Sequence, residues 1–505
     1  MTTTAPVPTR DDYRPRVHYT PARNWMNDPN GLVFHRGVYH LFYQHNPSGP
    51  DWGNMSWGHA TSTDLHTWTE QPVAIPCTGT EAIFSGSVVA DPLNTAGFAS
   101  RERDGAPDAG GEATVPLVAV YTSAYAEGSE RPGIQAQSLA YSLDDGATWT
   151  KHEGNPVLDR GSANFRDPKV FRYAGPAGAY WVMVAVEAAE RRVLLYASAD
   201  LKAWRLLSEV AAADVAGGVA DPGEGLWECP DLIEVPVEGK QGRTRWVLVV
   251  SVNPHGAAGG SGMKYCVGDF DGKRFRPDAD GFRWLDWGRD YYAAVSFSGV
   301  TGRALMLGWM SNWDYADATP TGAWRSAMSV PREVTLRAVG GGHALVQAPV
   351  LPPGGGLASV PAGSVVHVPA GRTRLASVPR GEAFRVRLAL PAGAPACTLR
   401  LGTGEDEAAL LRIDPAAGTL TLDRTASGMT DFHGLFASAE TAPLPGSDGG
   451  VRLDVVVDAC SVEVFAQDGL VAVTDLVFPR GAETALELET DAPVVPAELE
   501  VALLG

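Results

Sequence analysis

Three acidic residues stand at matching points of a repeated sequence pattern and could together cleave a glycosidic bond. Asp28 lies in an Asn-Asp-Pro turn, Asp167 in an Arg-Asp-Pro turn and Glu228 in a Glu-Cys-Pro sequence. Hydrolysis of a glycoside needs a carboxylic acid that protonates the leaving oxygen. It also needs a second carboxylate that attacks the sugar carbon or activates water, about 5 Å away from the first in retaining enzymes. Acids this remote in sequence qualify only if the fold brings them together.

Two of these acids have aromatic neighbours in sequence. Asp28 follows Trp25–Met26, and Glu228 follows Leu226–Trp227. Burial beside such groups raises the pKa of a carboxyl, which suits an acid/base more than a nucleophile. The sequence does not decide which acid is the more buried. For any one of them alone, the alternative is a turn-forming role, because Asp-Pro and Asn-Asp are common in turns. Three acids in register across a repeat favour a site.

The elements that must position these acids are β-strands. Up to about Arg337, short apolar segments rich in Val, Phe, Tyr and Trp are each bounded by turn residues. A polar or acidic turn, an apolar strand, a second turn and a second strand recur every 55 to 80 residues, roughly the length of a large propeller blade. Five such units begin at 27–29, 84–86, 166–168, 228–230 and 290–292. Because equivalent strand ends converge on a propeller axis, the three acids would point into one funnel.

The chain is predicted to be all-β, with a five-bladed β-propeller at 1–337 followed by a C-terminal β-sandwich at 357–505. The composition changes after Glu333, and the Gly- and Pro-rich stretch at 338–356 is interpreted as a linker. Beyond it, short strands alternate polar and apolar residues, which is the pattern of a two-sheet sandwich. A polar, Gly-rich insertion at 101–116 is expected to be a mobile surface loop.

Composition and charge argue against several classes of partner. The formal net charge of -19 repels phosphate backbones and anionic lipid surfaces, so we expect neither nucleic acid nor membrane partners. The five cysteines are scattered without a CxxC pair, and the eleven histidines show no metal-ligand spacing. We therefore expect no disulfide framework, no metal and no cofactor. Residues 1–13 are polar and lack an apolar segment, which favours a cytoplasmic location, or an extracellular one if a leader was removed.

The acidic motifs resemble those of a known family. The segment Trp25–Gly31 resembles the signature of glycoside hydrolase family 32, and His18 and Pro21 occupy the preceding positions that the signature includes. Arg166–Pro168 and Glu228–Pro230 resemble the two other acidic motifs of that family, in the same order. The resemblance covers nearly the whole chain. It implies a five-bladed propeller followed by a β-sandwich.

The resemblance also implies a role for each acid. Asp28 would be the nucleophile that attacks the anomeric carbon of a fructosyl unit. Glu228 would protonate the leaving oxygen and then deprotonate the incoming water. Asp167 would stabilise the transition state by accepting hydrogen bonds from ring hydroxyls. Arg166 beside it would help to keep Asp167 ionised, because its positive charge is permanent.

Further matching positions would form the sugar pocket, with amide groups for hydroxyls and flat aromatic faces for the ring. The expected substrate-binding residues are Trp25, Asn27, Gln44, Trp52, Phe84, Ser85, Arg166 and Trp313. Trp57 is interpreted as a core residue and Cys229 as a small packed residue beside the acid/base. Asp290 is interpreted as a turn or rim residue. Glu463 and Asp468 lie on a hairpin of the sandwich, which is expected to act as a scaffold.

The function implied by the resemblance is that of a retaining exo-β-fructosidase. Its substrates would be terminal β-D-fructofuranosyl residues of levan, inulin, fructooligosaccharides and sucrose. The segments DWGNMSWGHA and IFSGSVVAD look most like those of family members that degrade inulin or levan. Two alternatives stay open: fructosyl transfer through the same covalent intermediate, and a catalytically silent sugar-binding propeller, against which the intact acid triad argues. The linkage preference, sucrose against polymer and the oligomeric state also stay open.

Overall fold

The computed structural model of this protein describes residues 13–100, 114–176, 178–356, 366–404, 406–446 and 449–505. Most of the surface loop expected at 101–116 lies outside these residues. Nearly all regular structure in the described part is β-strand, with two short 3-10 turns at Ala212–Asp214 and Ala316–Ala318. No helix among the described residues is long and apolar enough to cross a membrane.

Five antiparallel sheets follow one another along the first part of the chain. The first contains β1 (Asn24–His35), β2 (Val38–Asn46), β3 (Ser56–Ser62) and β4 (Thr69–Ile75). The second contains β5 (Glu81–Ala90), β6 (Leu117–Tyr125), β7 (Gln135–Ser142) and β8 (Thr150–Lys151). The third contains β9 (Phe165–Gly175), β10 (Gly178–Glu187), β11 (Arg192–Ser198) and β12 (Arg205–Ala211).

The last two sheets have an additional short strand each. The fourth contains β13 (Leu226–Pro236), β14 (Thr244–Asn253), β15 (Gly262–Phe270), β16 (Phe275–Pro277) and β17 (Arg283–Trp284). The fifth begins with β18 (Tyr292–Ser296) and β19 (Ala304–Met310). After β20 (Trp324–Arg325), which belongs to the first sheet, the fifth sheet continues with β21 (Ala327–Met328), β22 (Arg332–Val339) and β23 (Gly342–Pro349).

The five sheets close into a ring, which confirms the predicted five-bladed propeller. The first strands of the five sheets, β1, β5, β9, β13 and β18, contact one another in ring order, and β18 contacts β1 again. β20 pairs in parallel with β1 and so joins the end of the propeller to its beginning. Because each inner strand is covered by sheet neighbours and by the next blade, its residues are almost continuously buried, as in β1.

The propeller is followed by a β-sandwich, as predicted. One six-stranded sheet contains β24 (Gly354–Gly356), β26 (Ala383–Leu390), β31 (Val451–Asp458), β32 (Ser461–Ala466), β33 (Val471–Leu476) and β35 (Glu498–Leu504). The other contains β25 (Gly371–Pro379), β27 (Cys397–Gly402), β28 (Ala408–Asp414), β29 (Thr419–Ala426), β30 (Ala439–Pro443) and β34 (Glu483–Thr490). Their inward-facing Val, Leu and Ile side chains form one buried core.

The structure differs from the sequence interpretation at 338–349, which was expected to begin a linker. β22 runs to Val339, and β23 pairs with it over its whole length. Gly340 and Gly341 form the turn with φ of 58° and 88°, a conformation that glycine adopts at no steric cost. The glycine-rich composition therefore reflects a tight hairpin, and the fifth sheet extends to Pro349.

The sandwich packs on the propeller through buried charged groups. Arg332 of β22 donates from Nη1 to Asp286 Oδ2 at 2.9 Å and from Nη2 to Glu463 Oε2 at 2.7 Å. His18 lies between Asp458 Oδ2 and Glu463 Oε1, at 2.8 Å from each. All five side chains are at most 1% exposed. Glu463 therefore joins the N-terminal segment, the fifth blade and the sandwich.

Asp290 belongs to the same interface. It lies in a bend, but its interpretation as a rim residue is wrong. It has no exposed surface. Its Oδ2 accepts hydrogen bonds from Arg424 Nη1 at 2.6 Å and from the backbone N–H of Leu476 at 2.8 Å. Its Oδ1 accepts from the Tyr315 hydroxyl at 2.8 Å. Sequence reasoning missed this role because the partners are up to 186 residues away.

The environment of His18 predicts that stability falls in alkaline solution. Burial alone would lower the pKa of His18, but its hydrogen bonds to Asp458 and Glu463 raise it from 6.5 to about 9. The stabilisation is therefore complete below pH 6.5 and is lost as pH rises through 9. We expect the free energy of unfolding to fall by about 3 kcal/mol across this window. Denaturant unfolding at a series of pH values measures it.

The variant His18→Gln is the matched control for this prediction. It retains hydrogen-bonding capacity but cannot take up a proton. The loss of stability across the window should be smaller in His18→Gln than in the wild type. Equal pH dependence in the two proteins would show that His18 is not the group responsible.

Candidate active site

Every innermost strand carries an extra residue near its start, and β1 carries a second one between Asn30 and Val33. The register of each strand against its neighbour slips by one between Met26 and Pro29, Phe84 and Gly86, Arg166 and Lys169, Glu228 and Asp231, and Tyr292 and Val295. Three bulge residues have positive φ: 61° at Asp167, 44° at Cys229 and 52° at Ala293. A bulge bends a strand and re-aims its side chains. The bulges occur where the sequence places its acidic motifs.

The side chains at this level line one cavity of about 310 Å³ at the start of the inner strands. Its lining residues are Asn27, Asp28, Gln44, Trp52, Phe84, Ser85, Gln135, Arg166, Asp167, Glu228 and Trp313. The cavity therefore brings together all three predicted acids and seven of the eight predicted substrate-binding residues. A larger cavity of about 660 Å³ lies further along the inner strands, around Lys169 and Asp231. We place the candidate site in the smaller cavity, because the convergent acids are there.

Asp28 is held by three donors. Asn27 Nδ2 donates to Oδ1 at 3.0 Å, and the Ser85 hydroxyl donates to Oδ2 at 2.9 Å. The Cys229 thiol lies 3.5 Å from Oδ2. Burial, and next the charge of Glu228, raise the pKa of Asp28 from 3.8 to about 6, although the three hydrogen bonds act in the opposite direction. The Asp28 carboxyl is thus fixed in orientation and takes up a proton more readily than a free carboxyl.

Asp167 and Glu228 are linked through Arg166. Arg166 Nη2 donates to Glu228 Oε1 at 3.0 Å, and Nε lies 3.8 Å from Asp167 Oδ2. Asp167 Oδ2 also accepts from the backbone N–H of Cys229 at 2.9 Å. Burial raises the pKa of Asp167, and the charge of Arg166 lowers it without cancelling the rise. The expectation that Arg166 keeps Asp167 ionised is therefore met only in direction, since burial has the larger effect.

Both carboxyl oxygens of Glu228 accept a hydrogen bond. Arg166 binds Oε1, and the hydroxyl of Tyr292 donates to Oε2 at 2.5 Å. Tyr292 is 1% exposed, whereas the side chain of Glu228 is 20% exposed. Among the three acids, Glu228 is the one that retains access to solvent, while Asp28 and Asp167 are 9% and 6% exposed. The sequence could not establish this difference.

Aromatic and amide groups complete the cavity wall. Trp52 is 50% exposed at the rim, and its ring meets that of Phe84 edge to face at 6.2 Å. Trp313 lies across the cavity. Gln44 is 3% exposed, and its Nε2 has no hydrogen-bond partner among the described residues. A buried amide donor without a partner is costly unless a ligand satisfies it.

Trp25 differs from its prediction as a substrate-binding residue. It has no exposed surface and is absent from the cavity lining. Its Nε1 donates to Asn27 Oδ1 at 2.7 Å, and its ring stacks beneath Trp313 with centroids 6.0 Å apart. It lies behind the wall, against Asn27 and Trp313, and has no exposed surface. Trp25 therefore positions two lining residues without touching a ligand. Trp57 is fully buried, as expected for core.

Sequence reasoning missed two residues of this site. Tyr292 stands at the fifth repeat of the pattern that supplies Asp28, Asp167 and Glu228, so its register was the signal that could have found it. Gln135 carries no comparable signal. It lies at the start of β7, the third strand of its blade, and its Oε1 accepts from Arg166 Nη1 at 3.3 Å. No group of three or more His, Cys, Asp and Glu within the described ranges could hold a metal ion.

The fold and the site together define a class of protein. A propeller funnel with paired carboxyl groups, hydroxyl-binding amides and aromatic walls is the arrangement expected of a glycoside hydrolase. The models of the N-terminal domain and of the C-terminal part of glycosyl hydrolases family 32 match residues 18–349 and 363–501, respectively. The chain belongs to this family.

Individual relatives are similar over almost the whole chain. A levanase of Bacillus subtilis is 43% identical over 493 residues, covering 95% of this chain and 68% of the levanase. An extracellular exo-inulinase of Aspergillus ficuum is 41% identical over 502 residues, covering 92% of this chain and 90% of that protein. The crystal structure of the exo-inulinase of Aspergillus awamori superposes with a TM-score of 0.87 at 37% identity, covering 98% of each chain.

The geometry around Asp28 predicts an unusual titration. The Asp28 carboxyl should titrate near pH 6, and Ser85→Ala should move its titration to higher pH, because a hydrogen bond that lowers its pKa is removed. NMR of protein labelled with carbon-13 at aspartate carboxyls measures both, and Asp28→Asn identifies the signal. Asp64, whose pKa is lowered to about 2, is an internal control that Ser85→Ala should leave in place. A titration near pH 4 in the wild type would contradict the described burial.

Proposed function

We propose that this protein is a retaining exo-β-fructosidase that releases terminal β-D-fructofuranosyl units from fructans, fructooligosaccharides and sucrose. The observation that carries the proposal is the cavity in which Asp28, Asp167 and Glu228 converge. Two relatives of this chain are a levanase and an exo-inulinase, whose names refer to fructans. A cavity of about 310 Å³ is at the lower end of the 300–1,000 Å³ typical of small-molecule sites, which suits a chain end more than a polymer interior.

Asp28 is proposed to be the nucleophile. Its carboxylate attacks the anomeric carbon, and a covalent fructosyl–enzyme ester forms as the bond to the leaving oxygen breaks. The hydrogen bonds from Asn27 and Ser85 fix the attacking carboxylate in place. The pKa of Asp28 is raised partly by the charge of Glu228. When Glu228 holds a proton, that repulsion disappears, so the state with neutral Glu228 favours ionised Asp28.

Glu228 is proposed to be the acid/base. It gives its proton to the leaving oxygen in the first step and takes a proton from water in the second. Its greater exposure fits this role, because its carboxyl must exchange a proton with solvent or leaving group in each cycle. Arg166 and Tyr292 hold both of its oxygens, so the carboxyl keeps one orientation through both steps.

The remaining lining residues are proposed to bind the fructosyl ring. Asp167 would accept hydrogen bonds from ring hydroxyls, and such donors favour its ionised form and offset its burial. The unpartnered Nε2 of Gln44 would donate to another hydroxyl. Trp52 and Phe84 would provide the apolar rim on the leaving-group side. The cytoplasmic location expected from residues 1–13 stays a prediction.

Loss of either proposed catalytic carboxyl should abolish turnover. We expect Asp28→Asn and Glu228→Gln each to lower kcat/KM for sucrose, inulin and levan by about a thousandfold or more, or about 4 kcal/mol of barrier. Release of fructose, quantified by chromatography, measures the loss. Asp269→Asn is a matched control, because the Asp269 side chain is 75% exposed on the same propeller. Unchanged turnover in Asp28→Asn would refute the assignment of the nucleophile.

A retaining mechanism also predicts a covalent intermediate. In Glu228→Ala the second step lacks its base, so a fructosyl group should accumulate on Asp28 with a substrate whose leaving group needs no protonation. Intact-protein mass spectrometry should show an increase of one fructosyl unit, and peptide mapping should place it on Asp28. The double variant Asp28→Asn/Glu228→Ala is the control. A product of inverted configuration without any adduct would exclude the retaining route.

A further inference from the structure

The pocket is connected to the β-sandwich through the fifth blade. We propose that Asp290 and Arg424 are positioning residues, through which sandwich strand β33 holds Tyr292 against Glu228 and Trp313 in the pocket wall. This inference rests on the proposed function, since it assigns a kinetic consequence to an interface remote from the proposed nucleophile. It adds to the scaffold role that the sequence predicts for the sandwich.

The segment that precedes β18 is hydrogen-bonded to the sandwich. The backbone N–H of Trp287 donates to Ala472 O at 2.9 Å, and that of Asp290 donates to Thr474 O at 3.0 Å. The backbone N–H of Arg289 donates to Asp475 Oδ1 at 2.9 Å. The segment 287–290 is therefore bound along β33, and its position depends on that strand.

The side chain of Asp290 fixes this segment through its ion pair with Arg424. Arg424 binds Asp290 Oδ2 through Nη1 and the Tyr315 hydroxyl through Nη2, at 2.6 and 2.8 Å. Tyr315 in turn donates to Asp290 Oδ1 at 2.8 Å. Asp290 and Arg424 have no exposed side-chain surface. A buried ion pair of this kind tolerates little movement, because separation would leave two uncompensated charges in the interior.

The ion pair of Asp290 and Arg424 is connected to the pocket through Tyr292 and Trp313. Tyr292 follows Asp290 by two residues and donates its hydroxyl to Glu228 Oε2 at 2.5 Å. On the other side, Trp313 and Tyr315 share one short loop. Asn312 in that loop donates from Nδ2 to the carbonyl oxygen of Arg289 at 2.7 Å. Tyr292 and Trp313 are therefore both fixed relative to the same buried ion pair.

The charged and titratable groups that face Glu228 determine which kinetic signal is expected. They are Arg166, Asp28, Asp167, Cys229 and Tyr292, and of these Tyr292 stands on the segment that β33 holds. If Tyr292 moves away, ionised Glu228 loses a donor. The alkaline limb of the pH profile should then move to higher pH, because a hydrogen bond to the charged form favours that form.

The experiment compares sucrose hydrolysis by Arg424→Met, Arg424→Lys and the wild type. Arg424→Met removes the charge at similar length, and we expect a tenfold or greater fall in kcat/KM with an upward shift of the alkaline limb. Arg424→Lys should recover part of both. Leu488→Ala, a cavity variant in the sandwich core, is the control for destabilisation. It should lower the Tm without changing the pH profile.

A double-mutant cycle with Tyr292→Phe tests whether the effect passes through Tyr292. We expect Arg424→Met to cost less in the Tyr292→Phe background than in the wild type, because coupled residues are not additive. Strict additivity, or an Arg424→Met enzyme with a lowered Tm and an unchanged pH profile, would overturn the proposal. If Arg424→Met does not fold, Asp290→Asn keeps the side-chain size and provides the same comparisons. A wild type that cleaves no fructoside would instead refute the proposed function.

Discussion

The constraint that governs this structure is the convergence of three carboxyl groups, two of them buried, in a pocket lined by one guanidinium. Among the described residues that line the pocket, Arg166 is the one cation, and it contacts both Asp167 and Glu228. Burial and the charges of neighbouring carboxyl groups raise the pKa of Asp28 and of Asp167, so full ionisation of the group is disfavoured. Two-step glycoside cleavage uses such a state, because one carboxyl must be charged while its neighbour is neutral. The imbalance of charge is therefore part of the chemistry.

A pocket with more carboxyl groups than cations needs a rigid scaffold that keeps these groups at fixed positions. The ring of inner strands provides it, because each strand contacts the next and β20 closes the circle. The bulges orient the functional side chains, since an extra residue near the start of an inner strand re-aims the side chains beside it. The buried ion pairs of the sandwich interface add rigidity at the fifth blade. Breaking such a pair leaves an uncompensated buried charge, so the pairs hold the two domains in one arrangement.

Much of this could be predicted from the sequence, and the remainder failed for identifiable physical reasons. Repeat spacing predicted five blades, and the acidic motifs predicted Asp28, Asp167 and Glu228 at one cavity, because both are patterns that the chain carries locally. The hairpin at 338–349 was interpreted as a linker, because glycine marks tight turns and flexible connections equally well.

The burial of a side chain and its long-range partners were harder to predict from the sequence. Trp25 stands three residues from the proposed nucleophile yet has no exposed surface, and Asp290 pairs with Arg424, which lies in the sandwich. Neither the burial of Trp25 nor the pairing of Asp290 with Arg424 can be predicted from residue type or spacing. Tyr292 was within reach of prediction, since it opens the fifth repeat in the register of the acids. Gln135 was not, because it enters the cavity from a third strand.

A crystal structure of Glu228→Gln with bound sucrose would show whether the three acids act on one fructosyl unit. We predict that the fructosyl ring occupies the cavity with its anomeric carbon about 3–3.5 Å from an oxygen of Asp28, the separation expected before attack. The amide at 228 should face the glycosidic oxygen, and Asp167 should accept hydrogen bonds from ring hydroxyls. Sucrose bound outside this cavity, or with its anomeric carbon beyond the reach of Asp28, would contradict the account.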